Sequence, residues 1–162
     1  IVFYNIPSRT GSNITPTTMA RLAEIENIVG VKEASGSVDQ VIDIRLACGD
    51  KLAVLSGEDS LTFSMMALGG TGVISTVANI APKEMAAIAN AGLKKDWDTA
   101  SALQLQLVPL IRALFTETNP IPVKTALSLM GMCEAELRLP LAPMAEANKD
   151  KLKAVLKQHA LI

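Results

Sequence analysis

Lys32 stands in the run Ile28-Val29-Gly30-Val31-Lys32-Glu33-Ala34-Ser35-Gly36, which is too short and too β-branched to be a helix. Strand side chains alternate between faces, so Ile28, Gly30 and Lys32 share one side, and the bare Gly30 leaves room beside the amine. Val29, Val31 and Glu33 take the other side. Desolvation disfavours the charged form of an amine, and a neutral amine attacks a ketone or aldehyde to form a Schiff base. The plainer reading is a strand-end lysine whose amine reaches water along its stem, and spacing alone leaves both readings open.

A second cluster lies at the start of the chain. Ile1-Val2-Phe3-Tyr4-Asn5-Ile6-Pro7-Ser8-Arg9-Thr10-Gly11 reads as an apolar strand stopped by Pro7 and followed by a polar turn ending at Gly11. Val2 and Tyr4 share a face, so a phenol can stand at the end of one strand while an amine stands at the end of the next. Tyr4 also suits an amphipathic core position with a wet hydroxyl, and Arg9 suits a solvated loop charge.

The elements that must position these groups alternate between strand and helix. Thr15-Pro16 supplies a cap and a first-turn proline for a helix over 17–25. Val38, Val41, Ile42 and Leu46 recur at helical intervals over 38–47, and a short buried strand follows over 51–56. Gly57 ends that strand, and Asp59 can cap a helix over 61–68. Gly69-Gly70-Thr71-Gly72 then leads into a strand over 72–75, and a further helix covers 82–92. Such βα units imply a parallel sheet with right-handed crossovers, as a (β/α)8 barrel or an open doubly wound sheet. From Asp96 onward the pattern is helical: 97–115 with a kink at Pro109, a helix capped by Asn119 and ending at Gly131, and an amphipathic helix over 144–159.

Composition narrows the class without choosing an activity. With 49% hydrophobic and 19% charged residues the chain can bury a core, as a soluble cytosolic enzyme does. A net charge of -1 gives no reason to expect nucleic acid or an anionic membrane as partner, and no uncharged apolar stretch approaches membrane-spanning length. Cys48 and Cys133 lie far apart and read as reduced packing residues, so neither a zinc site nor a redox motif is expected. Met65, Met66, Met85, Met130, Met132 and Met144 read as core filler, His159 as a surface residue, and Lys124 and Arg138 as packing or ion-pair residues.

Taken together, Tyr-Asn-Ile-Pro-Ser-Arg-Thr-Gly at 4–11, Gly-Val-Lys-Glu-Ala-Ser-Gly at 30–36, Leu-Ser-Gly-Glu-Asp at 55–59 and Gly-Gly-Thr-Gly-Val-Ile-Ser at 69–75 resemble the dihydrodipicolinate synthase family. Asn119-Pro120-Ile121-Pro122-Val123-Lys124 and Leu137-Arg138-Leu139-Pro140 fit as well. The resemblance covers essentially the whole chain, but only the later part of the family's own sequence. It implies the C-terminal half of a (β/α)8 barrel, strands 5–8, over 1–95, followed by a helical region over 96–162.

The resemblance further implies condensation of pyruvate with aspartate 4-semialdehyde in lysine biosynthesis by the diaminopimelate route. Lys32 would carry the pyruvate imine, Tyr4 would relay protons, Arg9 would bind a substrate carboxylate, and Gly57 and Ile74 would touch the bound pyruvate. No metal or organic cofactor is then needed, because the protonated imine is itself the electron sink. The family's relay threonine and second tyrosine have no matching positions here, so the chain is expected to be a segment of a longer polypeptide that needs the first half of the barrel. The family resemblance also implies a homotetramer in the cytoplasm. Two alternatives remain: a pyruvate lyase of the N-acetylneuraminate lyase type, against which Arg9 argues, and a catalytically silent half-barrel assembly unit.

Overall fold

A computed structural model of the protein describes residues 1–162. Strands β1 (Val2–Asn5), β2 (Gly30–Glu33), β3 (Ala53–Ser56) and β4 (Gly72–Val73) lie side by side in chain order as one parallel sheet. Helices α1 (Pro7–Thr10) and α2 (Pro16–Leu22) connect the first pair of strands, α3 (Val38–Cys48) the second, and α4 (Thr62–Ala67) the third. The chain is therefore α/β with a parallel sheet, as its alternating pattern predicts.

Local chemistry explains most boundaries. Thr15 Oγ1 accepts from the Thr18 N–H at 3.3 Å, and Ser37 Oγ accepts from the Gln40 N–H at 3.1 Å, so α2 and α3 each begin on a hydroxyl cap. The segment after Pro7, expected as a polar turn, is the helical turn α1. Pro7 pre-sets its first position, and Gly11 closes it at φ +68°, a conformation costly for other residues, with its N–H donating to Pro7 O at 2.9 Å. Asp59 does not cap α4. It starts a 3-10 turn over Asp59–Leu61 and is buried, with its carbonyl accepting from Thr62 Oγ1 at 3.1 Å.

Residues 1–75 and 87–104 form one compact unit, and residues 76–86 and 105–162 form another; α5 (Pro82–Leu93) and α6 (Trp97–Leu114) each contribute to both. In the first unit, Phe3, Val31 and Val54 stand in register on one face of the sheet. They pack with Met19 of α2, Val41, Ile44 and Cys48 of α3, and Met65 of α4. The buried face of α3 is thus Val41-Ile44-Cys48, not the Val38-Val41-Ile42-Leu46 stripe expected from spacing; Leu46 is 79% exposed. Apolar residues occupy two sides of this helix, so periodicity alone does not select which side meets the sheet. Gln104 joins this unit through polar bonds, accepting from the Phe63 N–H at 3.1 Å and donating to Asp59 O at 3.1 Å.

The second unit is helical. α7 (Ile121–Leu129) packs with α8 (Glu146–Gln158), and Leu110, Leu114, Ala126, Leu152 and Leu156 are buried. Glu117 fixes the start of α8, accepting from the Ala145 N–H at 3.1 Å and from Asn148 Nδ2 at 2.8 Å. α7 begins after Pro120, without the side-chain cap expected of Asn119. Met65, Met66, Met85 and Met144 are buried as expected, whereas Met132 is 64% exposed because it follows the left-handed Gly131 that ends the helix. Cys48 is buried, and burial raises its thiol above the ordinary range, partly offset by Arg45. Cys133 is exposed, so it is not the packing residue expected. No helix is long and apolar enough to cross a membrane.

The choice of buried face on α3 is directly testable. Ile44→Ala should cost about 2–5 kcal/mol in denaturant unfolding, because it leaves a cavity beneath the sheet. Leu46→Ala should change stability by no more than about 0.5 kcal/mol, and equal losses from the two would show that the helix packs otherwise.

Candidate active site

Parallel pairing sets Tyr4 beside Lys32 and Lys32 beside Leu55, while Leu55 pairs with Gly72. By strand alternation these positions share one face with Val2, Gly30, Ala53 and Ile74, and it is the face opposite the core of the first unit. Val2, Tyr4 and Ile74 are exposed there, and Lys32 is half-buried. The Lys32 ammonium lies over the Tyr4 ring, 4.1 Å from its centroid. The sequence expectation that a phenol and an amine stand together at adjoining strand ends is met.

The role expected of Gly30 belongs to a different glycine. A Cβ built on Gly30 would meet Ala53 O at 3.0 Å, Ala53 Cβ at 3.4 Å and Val2 Cγ2 at 3.5 Å, so its bareness admits the neighbouring strands. A Cβ on Gly57 would lie 2.7 Å from Ala34 Cβ and 3.2 Å from Lys32 Cε. It is Gly57 that leaves room for the lysine stem, and its N–H donates to Glu33 O at 2.7 Å, extending the pairing of β2 and β3 past the strand ends. Ile74 is tied in the same way, donating its N–H to Ser56 O at 2.8 Å. Arg9 is exposed in α1, five residues beyond Tyr4 along the chain.

Three polar residues belong to this region that the spacing did not single out as functional. Glu58 follows Gly57, and its carboxyl is raised above the ordinary range by burial first, then by Asp59, with the Lys32 ammonium acting in the opposite sense. The lysine therefore shares its surroundings with a carboxyl that ionises reluctantly. Glu33 and Asn5 are register partners on the opposite face, and Asn5 Nδ2 donates to Glu33 Oε2 at 2.9 Å. The sequence placed Glu33 on the face away from Lys32; its buried side chain follows from the packing of α3, which local pattern does not encode. No group of three or more His, Cys, Asp or Glu residues is arranged to hold a metal ion.

Comparison with known proteins finds similarity over nearly the whole chain. The model of the dihydrodipicolinate synthetase family matches residues 1–159. The curated 4-hydroxy-tetrahydrodipicolinate synthase of Geotalea uraniireducens is 54% identical over 161 residues, covering 99% of this chain and 56% of that protein. The crystal structure of dihydrodipicolinate synthase from Aquifex aeolicus superposes with a TM-score of 0.97 at 48% identity, covering 99% of this chain and 55% of that one. The chloride-inhibited synthase from Acinetobacter baumannii, solved in complex with pyruvate, gives a TM-score of 0.96 at 43% identity, with 99% and 55% covered. The chain spans about half the length of the curated relatives it matches. With a lysine-bearing parallel sheet and a family match running almost from end to end, the chain belongs to the dihydrodipicolinate synthetase family.

Proposed function

We propose that this chain carries the Schiff-base half of a class I condensation, joining pyruvate to aspartate 4-semialdehyde in lysine biosynthesis through diaminopimelate. The observation that carries the reading is the Lys32 amine over the Tyr4 ring at paired strand positions, on the sheet face left open by the core. The pyruvate bound to the Acinetobacter baumannii relative supports the choice of ketone. Lys32 Nζ attacks the ketone carbon, a C–N bond forms, and the ketone oxygen leaves as water. Loss of a methyl proton then gives an enamine, whose carbon attacks the aldehyde. The protonated imine takes up the electron pair, so no cofactor is invoked.

Tyr4 moves protons between the imine and the aldehyde oxygen. Arg9 holds the aldehyde's carboxylate through a forked pair of N–H donors, and Gly57 and Ile74 line the pyruvate. The chain is read as strands 5–8 of a (β/α)8 barrel over 1–95, with a helical region over 96–162. Its partners are the first half of the barrel, supplied in the same polypeptide or by another chain, and further copies of itself as a cytoplasmic homotetramer. Support for the missing half comes from the sheet itself. β1 and β4 each have a single neighbour, and the side chains of Val2, Tyr4 and Ile74 stand exposed where a closed barrel would bury or enclose them.

Incubation with pyruvate and then borohydride should fix the three-carbon unit on Lys32, read by peptide mass spectrometry, in the chain alone or combined with the preceding segment of a curated relative. An adduct confined to another lysine would end the assignment. Within a complemented assembly, Tyr4→Phe should slow condensation by about 10²–10⁴-fold while pyruvate capture falls far less, because only the proton path is cut.

Glu58 gives a pH test that does not depend on turnover. Its folded value lies above its unfolded one, so its contribution is fully present below the ordinary glutamate range and is lost as pH rises through the raised value. Glu58→Gln should therefore gain on the wild type in thermal stability between pH 4 and pH 7. The gain should stay below about 1 kcal/mol, since partly solvated charges are screened. A gap that narrows over the same interval would show that attraction to Lys32 outweighs burial.

A further inference from the structure

The contact between Lys32 and Tyr4 is too weak to hold itself. A cation over an exposed aromatic ring is a weak contact. Ordering a long lysine side chain costs rotamer freedom that such a contact does little to offset. Something other than the pair must fix the strand ends that carry them. On the opposite face of the sheet, directly behind the pair, Asn5 and Glu33 occupy the next register positions, and Glu33 is only 2% exposed.

Three donors from three segments converge on the Glu33 carboxylate. Asn5 Nδ2 from β1 donates to Oε2 at 2.9 Å, Gln40 Nε2 from α3 donates to Oε2 at 3.2 Å, and the Ser35 N–H donates to Oε1 at 2.6 Å. Asn5 Oδ1 accepts from the Ile14 N–H at 2.9 Å, and Asn5 Nδ2 also donates to Asn13 Oδ1 at 2.9 Å. Asn13 in turn exchanges bonds with Gln40, at 2.7 and 3.2 Å. The excursion that carries Arg9 thus leaves the sheet just after Asn5 and returns to the same side chain at 13–14.

We propose that Glu33 is a positioning residue: through Asn5, Asn13 and Gln40 it sets Lys32 against Tyr4 and closes the turn that carries Arg9. Its functional meaning rests on the Schiff-base reading above. A charge is required for the geometry. The Ile14 N–H can only donate, so it holds the Asn5 oxygen toward itself and leaves the Asn5 amide to face Glu33 as a donor. The Ser35 N–H likewise can only donate. With donors on both oxygens, a glutamine at 33 must turn its NH₂ against one of them, and neither Asn5 nor Ser35 can reverse to accommodate it.

The test reads the Lys32–Tyr4 geometry in the full chain without requiring turnover. Reductive ¹³C-methylation gives each lysine a dimethylammonium signal. That of Lys32, assigned through Lys32→Arg, should lie upfield of the others because of the Tyr4 ring, and Tyr4→Leu should return it to the ordinary position. Glu33→Gln should remove most of that displacement while circular dichroism and a cooperative melt are retained. Gln40→Met, which deletes one donor without altering either strand, should remove part of it and serves alone where Glu33→Gln does not fold. On unmethylated protein, borohydride-trapped pyruvate should accumulate on Lys32 roughly ten- to a hundredfold more slowly in Glu33→Gln. An absent displacement in the wild type, or one unchanged in every folded variant, overturns the proposal. Displacement lost on Glu33→Gln, with no pyruvate ever trapped on the wild type even when it is combined with the preceding segment of a curated relative, upholds the positioning role and refutes the reaction assignment instead.

Discussion

A single parallel register governs this molecule. Pairing Tyr4 with Lys32 also pairs Asn5 with Glu33, since successive side chains of a strand must face opposite ways. One alternation therefore builds two constellations back to back: an amine and a phenol on the open face, and a buried carboxylate with its amide partner behind them. A slip of one residue in β2 would exchange its faces, turning the lysine toward Val41 and Ile44 and Glu33 toward the open side. The apolar residues of the core and the polar residues of the site thus enforce the same alignment.

The division of labour between the faces is also a division of dielectric. Behind the sheet, Glu33 is enclosed, so its hydrogen bonds are charge-assisted and poorly screened. In front, Tyr4 is exposed and Lys32 half-buried, so their mutual attraction is weakened by water. Hydrogen bonds converge on the enclosed face, behind the amine and the phenol. Gly57 links the two sides. Its N–H is bound to Glu33 O, while the missing Cβ makes room for the Lys32 stem.

Much of this was legible in the sequence because strand alternation is a local property. Tyr4, Lys32 and the opposite placement of Glu33 follow from a period of two, and the hydroxyl cap Thr15 lies where a short polar residue precedes a helical run. What escaped is set by tertiary contact. The buried side of α3 depended on which apolar stripe met Val31 and Val54, and both stripes were available. The glycine beside the amine proved to be Gly57, from the neighbouring strand and 25 positions along the chain, rather than Gly30 within the lysine's own strand. Asp59 looked like a cap because caps are read from residue type, yet the chain enters α4 through a 3-10 turn that buries it.

The two thiols have opposite surroundings. Cys48 is buried at the end of α3, where burial raises its thiol above the ordinary range, while Cys133 lies at the surface of the helical unit. Because the thiolate is the species that reacts with electrophiles, the folded chain offers one cysteine to alkylating reagents and withholds the other. Denaturation would release the second. The molecule therefore carries its own report of the integrity of the α3 packing: the stoichiometry of thiol modification rises from one to two when the core beneath the sheet opens.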